Sequence, residues 1–313
     1  MSQVVVTERT HANRMARIQA APIWLIGPAY IVAYVVLGWL SIISSTSSLG
    51  IVPWSPETGL TFAAFLVFGA QLWPYLVLAV AASDLILLKE LPHAVQILSP
   101  LIVGGGYALA LNWIQQSRWQ FDIKLTSLRD ILTLEAVAIV SSALVATASV
   151  MLLAASGGEI RDEIPYNIFR YAISDLIGIS IITPFLLILA NSGGLPKLTF
   201  EAAIQGLAIF AALVFAFGFS SLPHFRLFNV VFFPIIWISL RHGLKGATYG
   251  LLATEVGLVV ALLITGPQLA GLTTYQSLML VLAFTGLSIG GLVTDRRRFE
   301  QELRLNQESV SQI

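Results

Sequence analysis

The sequence predicts an all-α fold, a polytopic transmembrane helical bundle with a cytoplasmic signalling helix at its C-terminal end, on three observations. Of 313 residues, 57% are hydrophobic and 11% charged, with a mean hydropathy of +0.83; a soluble domain of that make-up would leave most of its apolar surface in water. The apolar residues gather into stretches near the ~20 residues that a helix needs to cross a ~30 Å hydrocarbon core. From Asp295 onward the composition changes to a charged one.

Cutting the chain where charges, Pro, Gly or Asn cluster gives about ten spans: 24–44, 59–73, 75–89, 94–114, 128–154, 166–190, 202–221, 226–241, 244–265 and 274–294. The first is too long for a signal-peptide core and lacks a small-residue cleavage site, so it reads as an uncleaved span. The second and third are short and join at Trp73 and Pro74. Merging them, and likewise the eighth and ninth, would give eight spans.

Arg9, Arg14 and Arg17 precede the first span, and Arg296, Arg297 and Arg298 follow the last. Basic loops favour the cytoplasm, so both ends are expected there and the number of spans is even. Ten spans put Arg118, Lys124, Arg129, Lys197, Arg241 and Lys245 on the inner side and the acidic loop with Glu159, Asp162 and Glu163 on the outer, as in a bacterial inner membrane. Eight spans made by the two mergers keep the same ends inside. The organisation expected is a cytoplasmic segment over 1–23, a membrane domain over 24–294 and a juxtamembrane helix over 295–313. In that last helix Phe299, Leu303, Asn306, Val310 and Ile313 alternate in steps of four and three, the seam of a coiled coil, and the phase runs back to Leu292 and Ile289 inside the last span. An ordinary amphipathic helix has the same pattern over so short a length.

The absence of cysteine excludes disulfides and thiolate chemistry. His11, His93, His224 and His242 show no metal-ligand spacing, and no cofactor is indicated. No G-x-x-x-x-G-K-[ST], G-x-S-x-G or H-E-x-x-H pattern occurs, so no catalysis is assigned. Lys plus Arg equals Asp plus Glu at 17 each, which gives no footprint for nucleic acid. Within the spans, Asp84, Glu135, Arg170, Asp175 and Glu255 are costly to insert, ~2.5 to 3.5 kcal/mol each, and tend to face the protein interior or a cavity. Asp84, Asp175 and Glu255 are therefore candidates for one polar pocket that takes a small ligand or proton; a salt-bridged or neutralised packing network is the alternative. Gly246 with Gly250, and Gly286 with Gly290, are small-xxx-small pairs suited to close helix packing.

Several local motifs resemble one family, the first of the bacterial membrane-associated sensor domains (MASE). Trp54, Pro56, Glu57 and Gly59, with Trp73 and Pro74 after them, are similar to its W-x-P-x-x-G element and a later W-P. Asp175, Gly178 and Pro184 stand where the family shows D-x-x-G-x-x-x-x-x-P, with Ser174 in place of a frequent glycine. Pro234, Trp237, Arg241, Gly243, Gly246 and Ala247 look like its P-x-x-W-x-x-x-R-x-G-x-x-G-A element. The resemblance covers roughly residues 24 to 300. It implies a sensory input domain, usually fused to a histidine kinase, a cyclic-dinucleotide enzyme or PAS modules. The stretch from Leu303 to Val310 resembles the linker before the phosphoacceptor helix of some sensor kinases.

The buried charges and the motif positions together give the candidate ligand-binding residues Asp84, Asp175, Arg241, Glu255, Glu57, Trp54 and Trp237, with Asp175 and Arg241 foremost. The candidate signal-transmission residues are Arg297, Phe299, Leu303, Asn306 and Val310. The expected partners are the lipid bilayer, a small molecule or membrane protein of unknown identity, and a second copy of the chain through the last helix. A small-solute or proton-coupled transporter is the alternative function, since transporters also combine broken spans with buried carboxylates; no internal repeat supports it.

Overall fold

The computed structural model describes residues 20–43, 52–88, 91–116, 121–157, 163–192, 199–218, 229–265 and 272–310. Arg9, Arg14, Arg17, Arg118, Glu159, Asp162, Lys197, Ile313 and the side chain of Val310 lie outside what is described. Among the described residues nine helices follow in order: α1 (Ile23–Ile43), α2 (Pro56–Phe68), α3 (Trp73–Leu87), α4 (His93–Gln116), α5 (Leu128–Ala155), α6 (Ile164–Ser192), α7 (Phe200–Gly218), α8 (Phe232–Thr265) and α9 (Leu272–Val310). Among the described residues there is no strand. Eight helical stretches among the described residues are long and apolar enough to cross a membrane. Large apolar side chains such as Leu109, Leu144, Phe200 and Ile264 are exposed on the outside of the bundle, as expected when lipid is the solvent.

Two of the eight stretches fold back on themselves, which divides the described residues into ten helical segments. The stretch Pro56–Leu87 is broken by a 3-10 turn, Gly69–Leu72, whose Gly69 has φ 76°. α2 runs antiparallel to α1, since Tyr30 bonds Thr61 at 2.7 Å and Ser41 bonds Glu57 at 3.2 Å. α3 runs parallel to α1, with Gly27 against Tyr75 and Gly38 against Ser83 and Leu87. α2 and α3 are therefore opposite in direction. In α8 the break is at Gly243, φ 65° and ψ −152°. Gly250 lies against Ile235 and Ile238, and Gly246 against Ile238, which makes the two arms, 232–242 and 244–265, a hairpin. The breaks expected between the second and third and between the eighth and ninth segments are thus present, with one boundary corrected, and eight described stretches have the length to cross a membrane. The break between the second and third expected spans is not at Trp73 and Pro74 but at Gly69–Leu72, because proline is tolerated in the first turn of a helix and Pro74 opens α3.

α6 is the central helix. Its most apolar window is 78% buried, against 28–39% for the other seven stretches. It packs on α2, α5, α8 and α9, and α1, α3 and α4 complete the side around α2 while α7 covers α8. The small-residue pairs serve packing: a Cβ on Gly286 would sit 3.0 Å from Ile235, and one on Gly290 2.8 Å from Ala247.

The bundle has two distinct ends. At one, which we term the exit end, α9 leaves the bundle, and Lys124, Arg129, Arg241, Lys245 and Arg296 to Arg298 gather around it. There Ser127 and Asp130 form a capping box at the start of α5, each satisfying the other's backbone N–H, and Asp295 of α9 accepts a bond from Leu128 N at 2.9 Å. Glu163 stands at the start of α6, at the far end. α1 begins and α9 leaves at the same end, which agrees with an even number of passes.

The fold-back of α2 and α3 is tested by single-cysteine labelling, because the chain has no cysteine of its own. Gln71→Cys, at the exposed hairpin tip, is expected to react with a membrane-impermeant maleimide from the same side as Arg304→Cys. Protection of position 71 from both sides would mean that Pro56–Leu87 crosses as one helix.

Candidate functional site

Before α2 begins, the chain enters the bundle without helical structure. Val52, Pro53, Trp54 and Ser55 are all buried, at a depth set by Ser55, whose N–H donates to Ser174 O at 3.2 Å some ten residues into α6. Pro56 starts the helix because its fixed φ suits the first turn. Ser55, the N-cap, makes no side-chain cap bond; its hydroxyl meets that of Ser174 at 2.9 Å. The Val52 and Pro53 carbonyls have no helical donor, and Gln276 of α9 supplies one. Its amide Nε2 lies 3.1 Å from Pro53 O and 3.3 Å from Val52 O, and 3.4 Å from Arg170 O of α6. Gln276 is fully buried.

α2 then crosses α6 at two glycines. A Cβ on Gly178 would overlap Ser55 O, and one on Gly59 would overlap Gly178 O and lie 2.6 Å from Ile182 Cβ. Thr183 donates its hydroxyl to Gly59 O at 2.9 Å. That crossing brings Thr58 within 3.1 Å of Asp175 Oδ1, while the Tyr107 hydroxyl of α4 donates to Asp175 Oδ2. The first two motif elements of the sequence are therefore two sides of one contact.

Beside this contact is a cavity of about 130 Å³. Three carboxylates line it: Glu57 of α2, Asp84 of α3 and Asp175 of α6. Hydroxyls of Tyr34, Ser83, Ser99 and Tyr171 share the wall with apolar groups such as Val80, Val103 and Leu153. Asp84 has Ser99 as a side-chain hydrogen-bond partner, but its Oδ2 is buried with none. Ile42, Leu88 and Leu91 carry the cavity toward the far end of the bundle. No group of His, Cys, Asp or Glu among the described residues converges as a metal site would.

The predicted site residues divide between this cavity and other places. Glu57, Asp84 and Asp175 come together, and Trp54 lies in the buried segment that leads to Glu57, its indole nitrogen unpartnered. Glu255 does not join Asp84 and Asp175: it is buried on the second arm of α8, with Oε1 unpartnered. Glu135 also lies apart, accepting from Ser180 at 2.7 Å. Trp237 is 42% exposed on the first arm of α8.

Arg241 and Asp175 do not meet. Arg241 sits at the exit end, paired with Glu201 of α7 at 2.9 Å where both side chains are open to solvent; such pairs contribute ~0–1 kcal/mol. Its motif has a different task. Because Gly243 breaks α8, the carbonyls before it and the N–H after it lose their helical partners. α9 supplies them: Arg297 Nη2 donates to Arg241 O at 2.9 Å, and Thr294 Oγ1 accepts from Leu244 N at 2.9 Å. Beyond these clasps, Phe299 and Leu303 are 64% and 62% exposed on the emerging helix.

Sequence reasoning missed Thr58, Tyr107, Ser174 and Gln276. For Gln276 a signal existed, an uncharged polar group within an apolar stretch; the hydroxyl residues have none, since Ser, Thr and Tyr are common in membrane helices that only pack. The MASE1 family model matches residues 24–297. No curated protein and no solved structure matches the chain.

Removing donors from Asp175 tests the geometry of the contact. Thr58→Val and Tyr107→Phe should each cost about 1–3 kcal/mol, and the double variant should depart from the sum because both act on one carboxylate. Unfolding in mixed micelles, followed by tryptophan fluorescence, reads all three; strict additivity would contradict the shared contact.

Proposed function

The chain belongs to the MASE1 family, whose members are membrane-associated sensory domains, and we propose that it detects a small ligand in the cavity of Glu57, Asp84 and Asp175. In this reading the output is a cytoplasmic module joined through α9, a histidine kinase by the resemblance of residues 303–310 to a kinase linker. The exit end, with its basic residues, faces the cytoplasm of a bacterial cell and the cavity faces the outside. Two copies associate through the apolar stripe of Phe299 and Leu303, with Asn306 and Val310 continuing it.

One observation carries the proposal: a single helix both holds the backbone beside the cavity and extends beyond the bundle. α9 touches the segment that enters the cavity at Gln276 and extends without a break to Val310. At ~1.5 Å per residue, that is about 50 Å of continuous helix. A ligand that draws Glu57 or Asp175 toward itself displaces residues 52–58, and Gln276 must follow or lose its acceptors. Losing them leaves buried carbonyls unpaired in a medium without water. The ligand signals to the extent that its affinity differs between the two positions of α9. Arg297 and Thr294 give the moving helix a second grip at the α8 hairpin, so a displacement of α9 is resisted or relayed there.

The test joins the chain in helical phase to the phosphoacceptor and ATPase modules of a histidine kinase and measures autophosphorylation in membrane vesicles. Asp175→Asn and Gln276→Leu should each change the basal rate roughly fivefold or more, with Arg297→Ala changing it through the exit-end clasp, where its guanidinium holds Arg241 O. Unchanged rates in all three, at equal protein level, would remove the sensory assignment of these residues. Uptake of solute into proteoliposomes by the chain alone would favour a transporter instead.

A further inference from the structure

At the exit end, three separate stretches of chain converge on a cleft of about 400 Å³. Lys124 comes from the segment before α5, Lys245 from the second arm of α8, and Arg297 and Arg298 from α9, and no Asp or Glu among the described residues lines it. Buried Leu125, Ile188 and Leu244 supply its apolar part. The acids nearby are already engaged. Glu201 pairs with Arg241 and stands 3.6 Å from His242, Glu302 pairs with Arg298 at 3.0 Å, and Asp122 accepts from Lys124 N and Thr126 Oγ1. Lys124, Lys245 and Arg297 form no ion pair among the described residues. The segment that carries Lys124 is also held in shape. Asp122 N–H donates to Asp130 Oδ1 at 3.1 Å, and Leu125, 2% exposed, has φ 51°, a left-handed conformation that a bulky side chain rarely adopts. Such a conformation persists where the surrounding structure dictates it; here it buries Leu125 and leaves Lys124 exposed beside the cleft.

We propose that this cleft binds the phosphate of an anionic phospholipid from the leaflet at which α9 leaves the bundle, with the ammonium groups of Lys124 and Lys245 and the guanidinium of Arg297 as donors. Cations held around one space repel one another, and an anion among them relieves that repulsion. Phosphate oxygens accept from Lys and Arg in charge-assisted hydrogen bonds. The apolar lining, and a position at the ends of the spans rather than out along α9, favour a phosphate that arrives on a glycerol with its acyl chains. The spans below present large apolar side chains outward, Leu240 and Leu292 among them, as a surface for those chains. A headgroup bound there ties the Lys124 segment and the turn of α8 to α9, beside the clasps of Thr294 and Arg297. Membrane charge thus adds to what holds α9 in place. Nothing in the carboxylate cavity enters this binding.

The full chain in uncharged dodecyl-maltoside micelles is titrated with dioctanoyl-phosphatidylglycerol, with dioctanoyl-phosphatidylcholine and with glycerol phosphate, at constant ionic strength so that general screening does not vary; thermal unfolding is the readout. The anionic lipid should raise the melting temperature saturably, while the zwitterionic lipid and the free phosphate do not over the same concentrations. Lys124→Gln combined with Lys245→Gln, both at exposed positions that folding tolerates, should raise the half-saturating concentration about tenfold or more, the loss expected for charged hydrogen bonds. Arg129→Gln combined with Arg304→Gln removes the same charge from exposed positions outside the cleft and should leave half-saturation as it is. No saturable shift with phosphatidylglycerol, an equal shift with phosphatidylcholine, or half-saturation that the lysine pair leaves unchanged or that both pairs raise alike overturns the proposal. Stabilisation by glycerol phosphate equal to that by the lipid also overturns it, in favour of a soluble phosphate. The sensory reading stands or falls on the kinase fusion alone.

Discussion

In a bilayer every backbone polar group must find its partner within the protein, and the most demanding place in this chain is the four-residue segment Val52 to Ser55. It is irregular and buried, so it has no helical hydrogen bonds to offer its own carbonyls. Two contacts make it possible. Ser174 of α6 receives the Ser55 N–H, and Gln276 of α9 donates to Val52 and Pro53. Much else depends on that arrangement: the starting depth of α2, the glycine crossing of α2 on α6, the meeting of Thr58 with Asp175, and the position of Glu57 on the cavity wall.

The same constraint recurs at the other end. Gly243 turns α8 back on itself, and the unpaired groups of that turn are met by Arg297 and Thr294 of α9. One helix thus satisfies two irregular points of the bundle's backbone, about 30 Å apart along its axis by helical rise. A helix so used cannot shift at one site without altering the other or breaking bonds that water cannot replace. Coupling between the cavity and the exit end is in this sense a consequence of solvation in lipid.

The membrane class, the helical passes and the even number of them were legible because apolar run length and the placement of Arg and Lys are local properties of a sequence. Gly243 was legible as a break for the same reason. The turn at Gly69–Leu72 was misplaced by four residues because Trp73 and Pro74 read as a stop, whereas Pro74 begins a helix. The motif residues were found, but their tertiary meaning was not. Asp175 belongs with Trp54 to Gly59, not with Arg241, and Glu255 stands apart from both. Which helix faces which is set by glycines at crossings such as Gly59 and Gly178, and no periodicity within one segment records its partner. Asp84 and Asp175 were legible as buried charges; the unpartnered oxygen of Asp84 is a property of the folded site only.

The central claim is that the buried segment sets the position of the emerging helix through Gln276. Spin labels at Gln116→Cys and Leu303→Cys, in chains diluted into unlabelled protein in nanodiscs, report the distance between the exit end of α4 and the end of α9. Gln276→Leu should shift or broaden that distance distribution. Thr285→Val, which removes a hydroxyl that bonds only within its own helix, to Val281 O at 2.7 Å, should leave it as it is. An identical distribution with and without the Gln276 amide would contradict the account.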